Sequence, residues 1–403
     1  MNLKKINMKK KLVLAYSGGL DTSYCLKKLS KDGFEVHAVS VNTGGFNDQE
    51  IKNQKDNALK IGATKYTSLN GLSNYYNKVI RFLVFGNILK NETYPLSVSA
   101  ERVIQAIELI NYANKNNIKY IAHGSTGAGN DQIRFDLIFQ TLAPDIKIIT
   151  PIRDNSLTRE DEINYLKQNG IDVPWEKGKY SINKGLWGTT IGGDETLHSN
   201  KPLPEIAFPN QLKEKKSKNI SLSFNKGELV EVNGLATNPI NLINHLQSIS
   251  EKFAIGRDTH VGDTIIGIKG RVAFEAAAPI IIIKSHHLLE KHTLSKWQQF
   301  QKKQVADFYG MLLHEGNYLD PVMRDIESFL ISSQKNVTGK VYIKLSPYRF
   351  ELEGISSNND LMNNSLGVYG EMNNGWSSND VKGFIKIISN TGKIFNLKNS
   401  NKK

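Results

Sequence analysis

The organisation of this chain follows from residues 12–23, which read Leu12-Val13-Leu14-Ala15-Tyr16-Ser17-Gly18-Gly19-Leu20-Asp21-Thr22-Ser23. The short apolar run up to Tyr16 is typical of a strand, and the serine and two glycines that follow end it. Asp21, Thr22 and Ser23 favour the N-cap and first turn of a helix, which we expect to run to about Lys31. Glycines and free N–H groups at a helix start bind phosphate, so the segment predicts an anion-binding loop. Its spacing is neither that of the G-x-x-x-x-G-K-[ST] loop nor that of the G-x-G-x-x-G dinucleotide fingerprint.

Length, cysteine content and charge limit the classes to which the chain can belong. Its 403 residues suffice for two or three domains. The single cysteine, Cys25, excludes an internal disulfide and a multi-cysteine zinc site, and it fits a reducing, cytoplasmic setting. The net charge of +13 is compatible with a nucleic-acid partner, but lysines are concentrated at both chain ends and at 213–218, which we attribute to solvation. Because the lysines are explained as solvated surface residues, we expect no nucleic-acid partner. The apolar run 272–283 is too short to span a membrane, so we expect no membrane partner either.

Strands and helices alternate through the first part of the chain. We predict strands at 12–16, 34–41, 63–69, 120–123 and 146–150, and helices at 47–61, 72–85, 99–114, 131–141 and 159–169. This alternation predicts an α/β fold with a parallel, doubly wound sheet over residues 1–172. Two expected hairpins (220–232 and 341–353) and three helices (240–250, 294–313 and 321–333) predict a second, α+β domain over residues 173–370. Residues 371–403 form a C-terminal tail in this division.

A second glycine-rich segment follows the fourth predicted strand and reads His123-Gly124-Ser125-Thr126-Gly127-Ala128-Gly129-Asn130-Asp131-Gln132-Ile133-Arg134-Phe135. Asn130, Asp131 and Arg134 fall at the start of the next helix, where Asn130 and Arg134 share a face. An arginine there can bind a carboxylate with two hydrogen bonds, and Asp131 can meet an amine or a metal. Taken singly, each polar residue is better explained as a cap or surface group, but so many polar residues among glycines after a strand favour a site. Ligands of parallel sheets bind beyond the carboxyl ends of the strands, so we expect both glycine segments to line one pocket.

The chain resembles the argininosuccinate synthase family of the N-type ATP pyrophosphatases. Residues 15–23 look like the ATP motif S-G-G-x-D-[ST], and residues 123–135 follow the motif H-G-x-T-G-x-G-N-D-Q-x-R-F. The resemblance continues through Tyr94-Pro95-Leu96-Ser97-Val98-Ser99, Tyr180-Ser181, Leu186-Trp187-Gly188-Thr189-Thr190, Gly256-Arg257 and Gly383-Phe384-Ile385, and so covers nearly the whole chain. It implies a ligase that joins citrulline to aspartate through a citrullyl-adenylate, with release of pyrophosphate and AMP.

The resemblance also implies a role for particular residues, which we take as expectations. It assigns ATP, bound with Mg²⁺, to Ala15, Tyr16, Ser17, Gly18, Gly19, Leu20, Asp21, Thr22, Ser23, Val41 and Gly124. It assigns aspartate to Thr126, Asn130 and Asp131, and citrulline to Tyr94, Ser99, Asn130, Arg134, Ser181, Thr190 and Phe274. Asp21, Asp131 and Arg134 are the candidate catalytic residues, and no metal ligand is assigned. A cytoplasmic homotetramer in arginine biosynthesis, with oligomer contacts from the tail, is implied as well.

Three positions depart from the family pattern. Ala128 stands where many members carry lysine, Gly262 where the family has a glutamate that meets the α-amine of citrulline, and Phe274 where it has tyrosine. Either Asp263 serves in place of the missing glutamate, or the α-amine is acylated and needs no carboxylate. Loss of a charged partner for a free ammonium is worth roughly 1.5–3 kcal/mol.

Two other functions remain open from the sequence. A tRNA-thiolating or amidating ATP pyrophosphatase would share the first loop, and the positive charge is compatible with the former. A thiolase usually needs catalytic cysteines, for which Cys25 within a helix serves poorly. A non-catalytic nucleotide-binding or RNA-binding module explains neither the polar cluster around Asn130 nor the large second domain.

Overall fold

The computed structural model describes residues 10–171, 180–363, 365–371 and 375–400. The chain divides into two compact units, and the division falls between Asn358 and Asn359 in the sequence. The domain boundary expected at residues 172 and 173 falls in 172–179, outside the described residues. None of the described helices is long and apolar enough to cross a membrane.

The first unit begins with a five-stranded parallel sheet in the order β3-β2-β1-β4-β5, which confirms the predicted α/β class. The strands are β1 (Lys11–Ala15), β2 (Glu35–Asn42), β3 (Lys65–Asn70), β4 (Tyr120–Ala122) and β5 (Lys147–Ile149). The helices between and after them are α1 (Leu20–Lys31), α2 (Asp48–Ile61), α3 (Leu72–Tyr75), α4 (Arg81–Phe85), α5 (Ser97–Lys115), α6 (Asp131–Leu142), α7 (Pro151–Asn155) and α8 (Arg159–Gln168).

Alternate residues of the parallel strands enter two different hydrophobic cores. Val13 of β1 packs into the larger core with residues of α5 and α6, whereas its neighbours Leu12 and Leu14 pack into a second core with residues of α1, α2 and α8. Because successive strand residues point to opposite faces, helices must cover both sides of the sheet. The sheet is therefore doubly wound, as the alternation of elements predicted.

Two local predictions in this part were wrong in detail. The N-cap of α1 is Gly19, without a side-chain hydrogen bond, although Asp21 does lie in the first turn. The helix expected at 72–85 is two α-helical turns joined by a π-helix, Tyr76–Ile80. By contrast, α2 starts as its sequence indicates, because Asn47 and Glu50 form a reciprocal capping box.

The remainder of the first unit contains two antiparallel sheets. One has the order β10-β9-β8-β13-β14 and the other β11-β12-β7-β6. Their strands are β6 (Ser181–Gly185), β7 (Gly188–Gly192), β8 (Lys218–Asn225), β9 (Glu228–Val232), β10 (Leu235–Ala236), β11 (Arg257–Asp263), β12 (Lys269–Glu275), β13 (Gly339–Ser346) and β14 (Arg349–Ser356). The helices are α9 (Pro239–Ser250), α10 (Ala277–Thr293), α11 (Lys296–Glu315) and α12 (Pro321–Ser333).

Both expected hairpins occur, as β8–β9 and β13–β14, but the four-stranded sheet and α10 were not predicted. Helix α10 is buried on nearly every side in its first two turns, so its sequence lacks the 3.6-residue period that identifies an amphipathic helix. Residues 181–192 are rich in glycine and threonine and show no alternation on which a strand could be based.

The second unit contains α13 (Ser378–Ile388) and α14 (Asn390–Ser400). Val381, Phe384, Ile385 and Ile388 have the spacing of one helix face, and each is exposed. These helices were not predicted, although α13 carries both this apolar period and a capping box at Ser377.

Candidate active site

The two glycine-rich segments follow neighbouring strands. Strands β1 and β4 pair in parallel, with Val13 opposite Ile121 and Leu14 opposite Ala122. The chain moves outward from β1 through β2 and β3 and then returns to β4 on the other side, so a topological switch point lies between β1 and β4. Ser17 and Asn130 both line one cavity, whose volume is about 1010 Å³, at this point. The expected convergence of the two segments is confirmed.

The first loop is held in shape by hydroxyl and amide contacts. The hydroxyls of Ser17 and Thr22 lie 3.2 Å apart, and Thr22 also donates to the Gly19 carbonyl at 3.3 Å. Behind the loop, Gln54 Nε2 donates to the Ser17 carbonyl at 3.1 Å. Gly18 has a φ of +81° and a Cβ there would lie 3.0 Å from Gln54, so the position requires glycine for both conformation and space. The loop and the N-terminus of α1 thus both line the cavity, and a helix N-terminus favours a bound anion.

Asp21 connects this loop to helix α8. It lines the cavity, and its carboxyl group interacts with that of Glu162, whose side chain is buried. Burial and the neighbouring Asp21 carboxylate raise the pKa of Glu162 to about 8, and burial also raises the pKa of Asp21. Two carboxyl groups that share a site retain a proton more strongly than either alone, so this pair holds one proton near neutral pH. Gly124 of the second loop contacts Asp21, because a Cβ there would lie 3.2 Å from the Asp21 carbonyl carbon.

The second loop is anchored from outside the cavity. His123 Nε2 lies 2.9 Å from Asp136 Oδ1, and Arg153 donates to the other oxygen of Asp136 at 2.7 Å. Gln132 donates to the carbonyls of Gly127 and Gly129 at 2.6 and 3.1 Å. These contacts fix the glycine backbone of the second loop.

Arg102 of α5 joins the acidic residues of the cavity. Its Nε donates to Asp131 Oδ2 at 2.9 Å, and its Nη1 donates to Glu101 Oε1 at 2.7 Å. Asp131 Oδ1 in turn accepts from Arg134 Nη1 at 2.8 Å. Burial alone would raise the pKa of Asp131, but the two guanidinium groups outweigh it and lower this pKa to about 2. Asp131 therefore stays ionised, and it accepts hydrogen bonds rather than protons.

Glu101 is the most deeply buried acid of this group. Its Oε2 accepts from the Thr43 hydroxyl at 2.8 Å, and a Cβ at Gly185 would lie 2.3 Å from the same oxygen. Burial raises the pKa of Glu101 to about 7, although Arg102 and Thr43 oppose the shift. Glu101 thus accepts a hydrogen bond that holds Arg102 in place, and it packs against Gly185 at the end of β6.

One end of the cavity is formed by aromatic and cationic residues, and we call it the histidine end: Tyr94, Arg134, His260 and His314. The rings of Tyr94 and His260 stack with centroids 5.3 Å apart, and Phe274 lies against Tyr94 at 5.5 Å. Arg134 Nε donates to the His314 carbonyl at 2.8 Å. Burial, followed by the charges of Arg134 and Lys90, lowers the pKa of His314 to about 2.

The cavity brings together most of the residues expected from the sequence. Seventeen of them line it: Ala15, Tyr16, Ser17, Gly19, Leu20, Asp21, Thr22, Val41, Tyr94, Ser99, Gly124, Thr126, Asn130, Asp131, Arg134, Ser181 and Thr190. Gly18, Ser23 and Phe274 are not among the lining residues, and Ser23 and Phe274 are buried. Asp263, the candidate substitute for the missing glutamate, forms an ion pair with Lys269 at 2.7 Å.

Sequence reasoning missed several lining residues. The sequence could have indicated Arg102, because it follows Ser99 by three residues and so shares its helix face, and Glu101 precedes Arg102 directly. His260, His314 and Lys184 gave no signal, since they come from strands and a helix end far away in the chain.

The described residues contain no cluster of three or more His, Cys, Asp or Glu side chains with metal-binding geometry. Asp21 and the hydroxyls of Ser17 and Thr22 nevertheless give the donor set that suits Mg²⁺, which proteins commonly hold by one or two carboxylates together with substrate phosphates.

Comparisons with known proteins agree with this geometry. Residues 11–172 match the family described as the arginosuccinate synthase N-terminal HUP domain, and residues 180–395 match the arginosuccinate synthase C-terminal domain. Argininosuccinate synthase of Dictyoglomus thermophilum is 36% identical over 397 residues, covering 98% of this chain and 99% of the relative. That of Methanocaldococcus jannaschii is 36% identical over 84% of this chain and 86% of the relative. That of Xanthomonas campestris is 33% identical over 96% and 98%.

Proposed function

The chain belongs to the argininosuccinate synthase family, and from this premise we propose how its residues perform the family's ATP-dependent ligation of citrulline and aspartate. The observation that carries the proposal is that the Ser17 loop and the Asn130 loop line one cavity at the switch point of the parallel sheet. One loop suits a polyphosphate and the other an amino acid, and a ligase of this kind must hold both at once.

In the first step, the ureido oxygen attacks the α-phosphorus of ATP and the bond to the β-phosphate oxygen breaks. Pyrophosphate leaves with the bonding electron pair, and citrullyl-adenylate remains. The Ser17–Ser23 segment receives the leaving diphosphate through backbone N–H groups and the start of α1. Asp21, with the Ser17 and Thr22 hydroxyls, would hold Mg²⁺, which supplies charge neutralisation at the phosphates.

In the second step, the amine of aspartate attacks the adenylated carbon, the carbon–oxygen bond breaks and AMP leaves. We assign the aspartate to Thr126, Asn130 and Asp131, which follow the carboxyl end of β4 and line the cavity. Asp131 accepts a hydrogen bond from the incoming nitrogen and orients it. With a pKa of about 2 it does not take the proton of the amine, which passes to the leaving AMP phosphate or to water, and we assign the rate enhancement to positioning and charge.

Arg134 is assigned to the carboxylate of citrulline, with Tyr94, Ser99, Ser181 and Thr190 around it. Its Nε donates to the His314 carbonyl and its Nη1 to Asp131, which fixes the plane of the group. A guanidinium fixed in this way can present its remaining N–H groups to a carboxylate.

Further parts of the proposal concern the whole protein. We propose a cytoplasmic homotetramer in which residues 1–172 form the nucleotide domain, residues 173–370 complete the citrulline site, and residues 371–403 make contacts between copies. Support for the last point comes from the exposed apolar face of α13, at Val381, Phe384, Ile385 and Ile388.

The test is the co-substrate dependence of pyrophosphate release from ATP. We expect sustained release, with equal amounts of AMP, only when a ureido amino acid (citrulline or an N-acyl form) and aspartate are both present. Release that requires tRNA would favour the thiolating alternative, and release with ammonia in place of aspartate would favour an amidating one. Cys25 argues against thiolation, because it is fully buried and burial raises the pKa of its thiol.

A further inference from the structure

The histidine end contains an imidazole that the ligation chemistry does not use. His260 lines the cavity but is only 6% exposed, and neither of its ring nitrogens has a hydrogen-bond partner among the described residues. Its ring is stacked on Tyr94 and is therefore fixed in orientation. A buried imidazole without a partner in a ligand cavity is expected to bind part of the ligand.

The charges around His260 are unfavourable for an ammonium group. Arg134 lines this end, and its positive charge, together with that of Lys90, lowers the pKa of His314, which also lies there. Burial and Lys90 likewise lower the pKa of His260 itself, so its ring is neutral at pH 7. A substrate ammonium placed here would be repelled by both positive charges.

The carboxylates that line the cavity already have partners, so they do not neutralise these positive charges for a bound ligand. Glu101 and Asp131 are both bonded to Arg102, and Asp131 is bonded to Arg134 as well. Asp263 pairs with Lys269. The other two lining acids are Asp21, in the first turn of α1, and Glu50, in the first turn of α2. Glu50 accepts the Asn47 N–H at 2.7 Å. Among the described residues, every lining carboxylate except those of Asp21 and Glu50 already pairs with a cation, Asp263 through one oxygen in an exposed ion pair.

The surroundings of Gly262 explain why no carboxylate stands at this position. A Cβ at this position would lie 2.7 Å from His260 Nε2, closer than real Cβ contacts. Gly262 does not have a positive φ, so space rather than backbone conformation excludes a side chain. The imidazole of His260 therefore occupies the volume into which a side chain at 262 would extend.

We propose that the amino-acid substrate is a ureido amino acid whose α-nitrogen is acylated, and that His260 and Gly262 select for it. This inference rests on the proposed function and names its substrate class more narrowly. An acylated nitrogen is uncharged and presents an N–H and a C=O, either of which can hydrogen-bond to Nε2 of a neutral His260 in the matching tautomer, since Nδ1 is buried. A carboxylate on the acyl group would in addition be attracted by Arg134 and Lys90.

The test compares kcat/KM for citrulline, N-acetyl-citrulline and N-succinyl-citrulline, with ATP and aspartate saturating. We expect at least one acyl form to exceed citrulline by roughly tenfold to hundredfold, the range of one charged hydrogen bond. Equal or better use of free citrulline overturns the inference and leaves the proposed function intact. If none of the three supports pyrophosphate release, the proposed function itself fails.

A pair of variants tests the two residues named. His260→Ala removes the imidazole, and His260→Ala combined with Gly262→Glu places a carboxylate in the vacated space. Relative to the single variant, the double variant should shift the preference toward free citrulline by about tenfold or more. An unchanged preference in a double variant that melts like the single one contradicts the assignment. Calorimetric binding of the three amino acids to the wild-type protein gives the same ranking without depending on either variant.

Discussion

The side chain of Asn130 accepts a hydrogen bond from the backbone N–H of Ile265 at 3.0 Å, across 135 residues of sequence. Asn130 is the N-cap residue of α6, and Ile265 lies in the turn between β11 and β12. The contact fastens a loop of the antiparallel sheet over the second glycine segment. Asn130 therefore has a structural role in addition to the substrate contact for which it is proposed.

Substitution of Asn130 should separate these two roles. Asn130→Asp keeps the acceptor oxygen for Ile265 but loses the amide donor, whereas Asn130→Ala loses both. We expect both variants to lose activity, but faster limited proteolysis of the 264–268 turn in Asn130→Ala alone. Equal cleavage of the turn in the two variants would show that the hydrogen bond does not hold it.

Arg102→Lys should impair the amino-acid steps. Lysine keeps the charge but cannot bridge Glu101 and Asp131 with separate, fixed donors. We expect a fall in kcat/KM for aspartate of about tenfold to hundredfold, measured by pyrophosphate release. Arg81→Lys is the matched control, because Arg81 pairs with Glu228 outside the cavity lining, and its activity should stay within about twofold. A comparable loss in both variants would contradict the role of Arg102.

Glu101 should make stability depend on pH in a defined window. Its pKa is raised to about 7 from an ordinary 4.5, so the folded state binds the proton more tightly than the unfolded state. The contribution of Glu101 to stability is therefore complete below pH 4.5 and is lost as the pH rises to 7. The difference in Tm between wild type and Glu101→Gln should accordingly move in favour of the variant over this range and become constant above it. A difference that does not change with pH would refute the shift.

The buried ion pair of Lys302 and Glu290 should matter for stability far more than its exposed neighbour. Lys302 Nζ lies 2.8 Å from Glu290, and both side chains are buried. Lys302→Met leaves the carboxylate without its cation and should cost about 3–5 kcal/mol of unfolding free energy. Lys303→Met breaks a pair with Glu92 whose side chains are 59% and 77% exposed and should cost at most about 1 kcal/mol. Thermal denaturation of both variants decides, and equal losses would contradict the distinction.

The apolar face of α13 should hold copies of the chain together. Phe384→Ser with Ile388→Ser removes two exposed apolar side chains, which are 63% and 62% exposed. We expect light scattering to give four times the chain mass of 45.2 kDa for the wild type and a smaller assembly for the variant. Lys386→Ser, on the same helix, is the control and should not change the mass. A wild-type monomer would refute the proposed tetramer.

The sequence by itself determined the parallel sheet and the two glycine loops, because these depend on local patterns, whereas the binding roles of the cavity residues were implied by the resemblance to a known family. An apolar run that ends in Ser17-Gly18-Gly19 specifies a strand and a loop whatever surrounds it, and strands such as β1 and β4 that belong to one parallel sheet end at the same edge. Tertiary structure alone decided which side chains of the site are charged and which side chain fills the space beside Gly262. Arg102 reaches Asp131 across 29 residues, and His260, whose ring stacks on Tyr94, fills the space beside Gly262. Electrostatic and steric terms of this kind depend on distances between segments remote in the chain, which no local pattern contains.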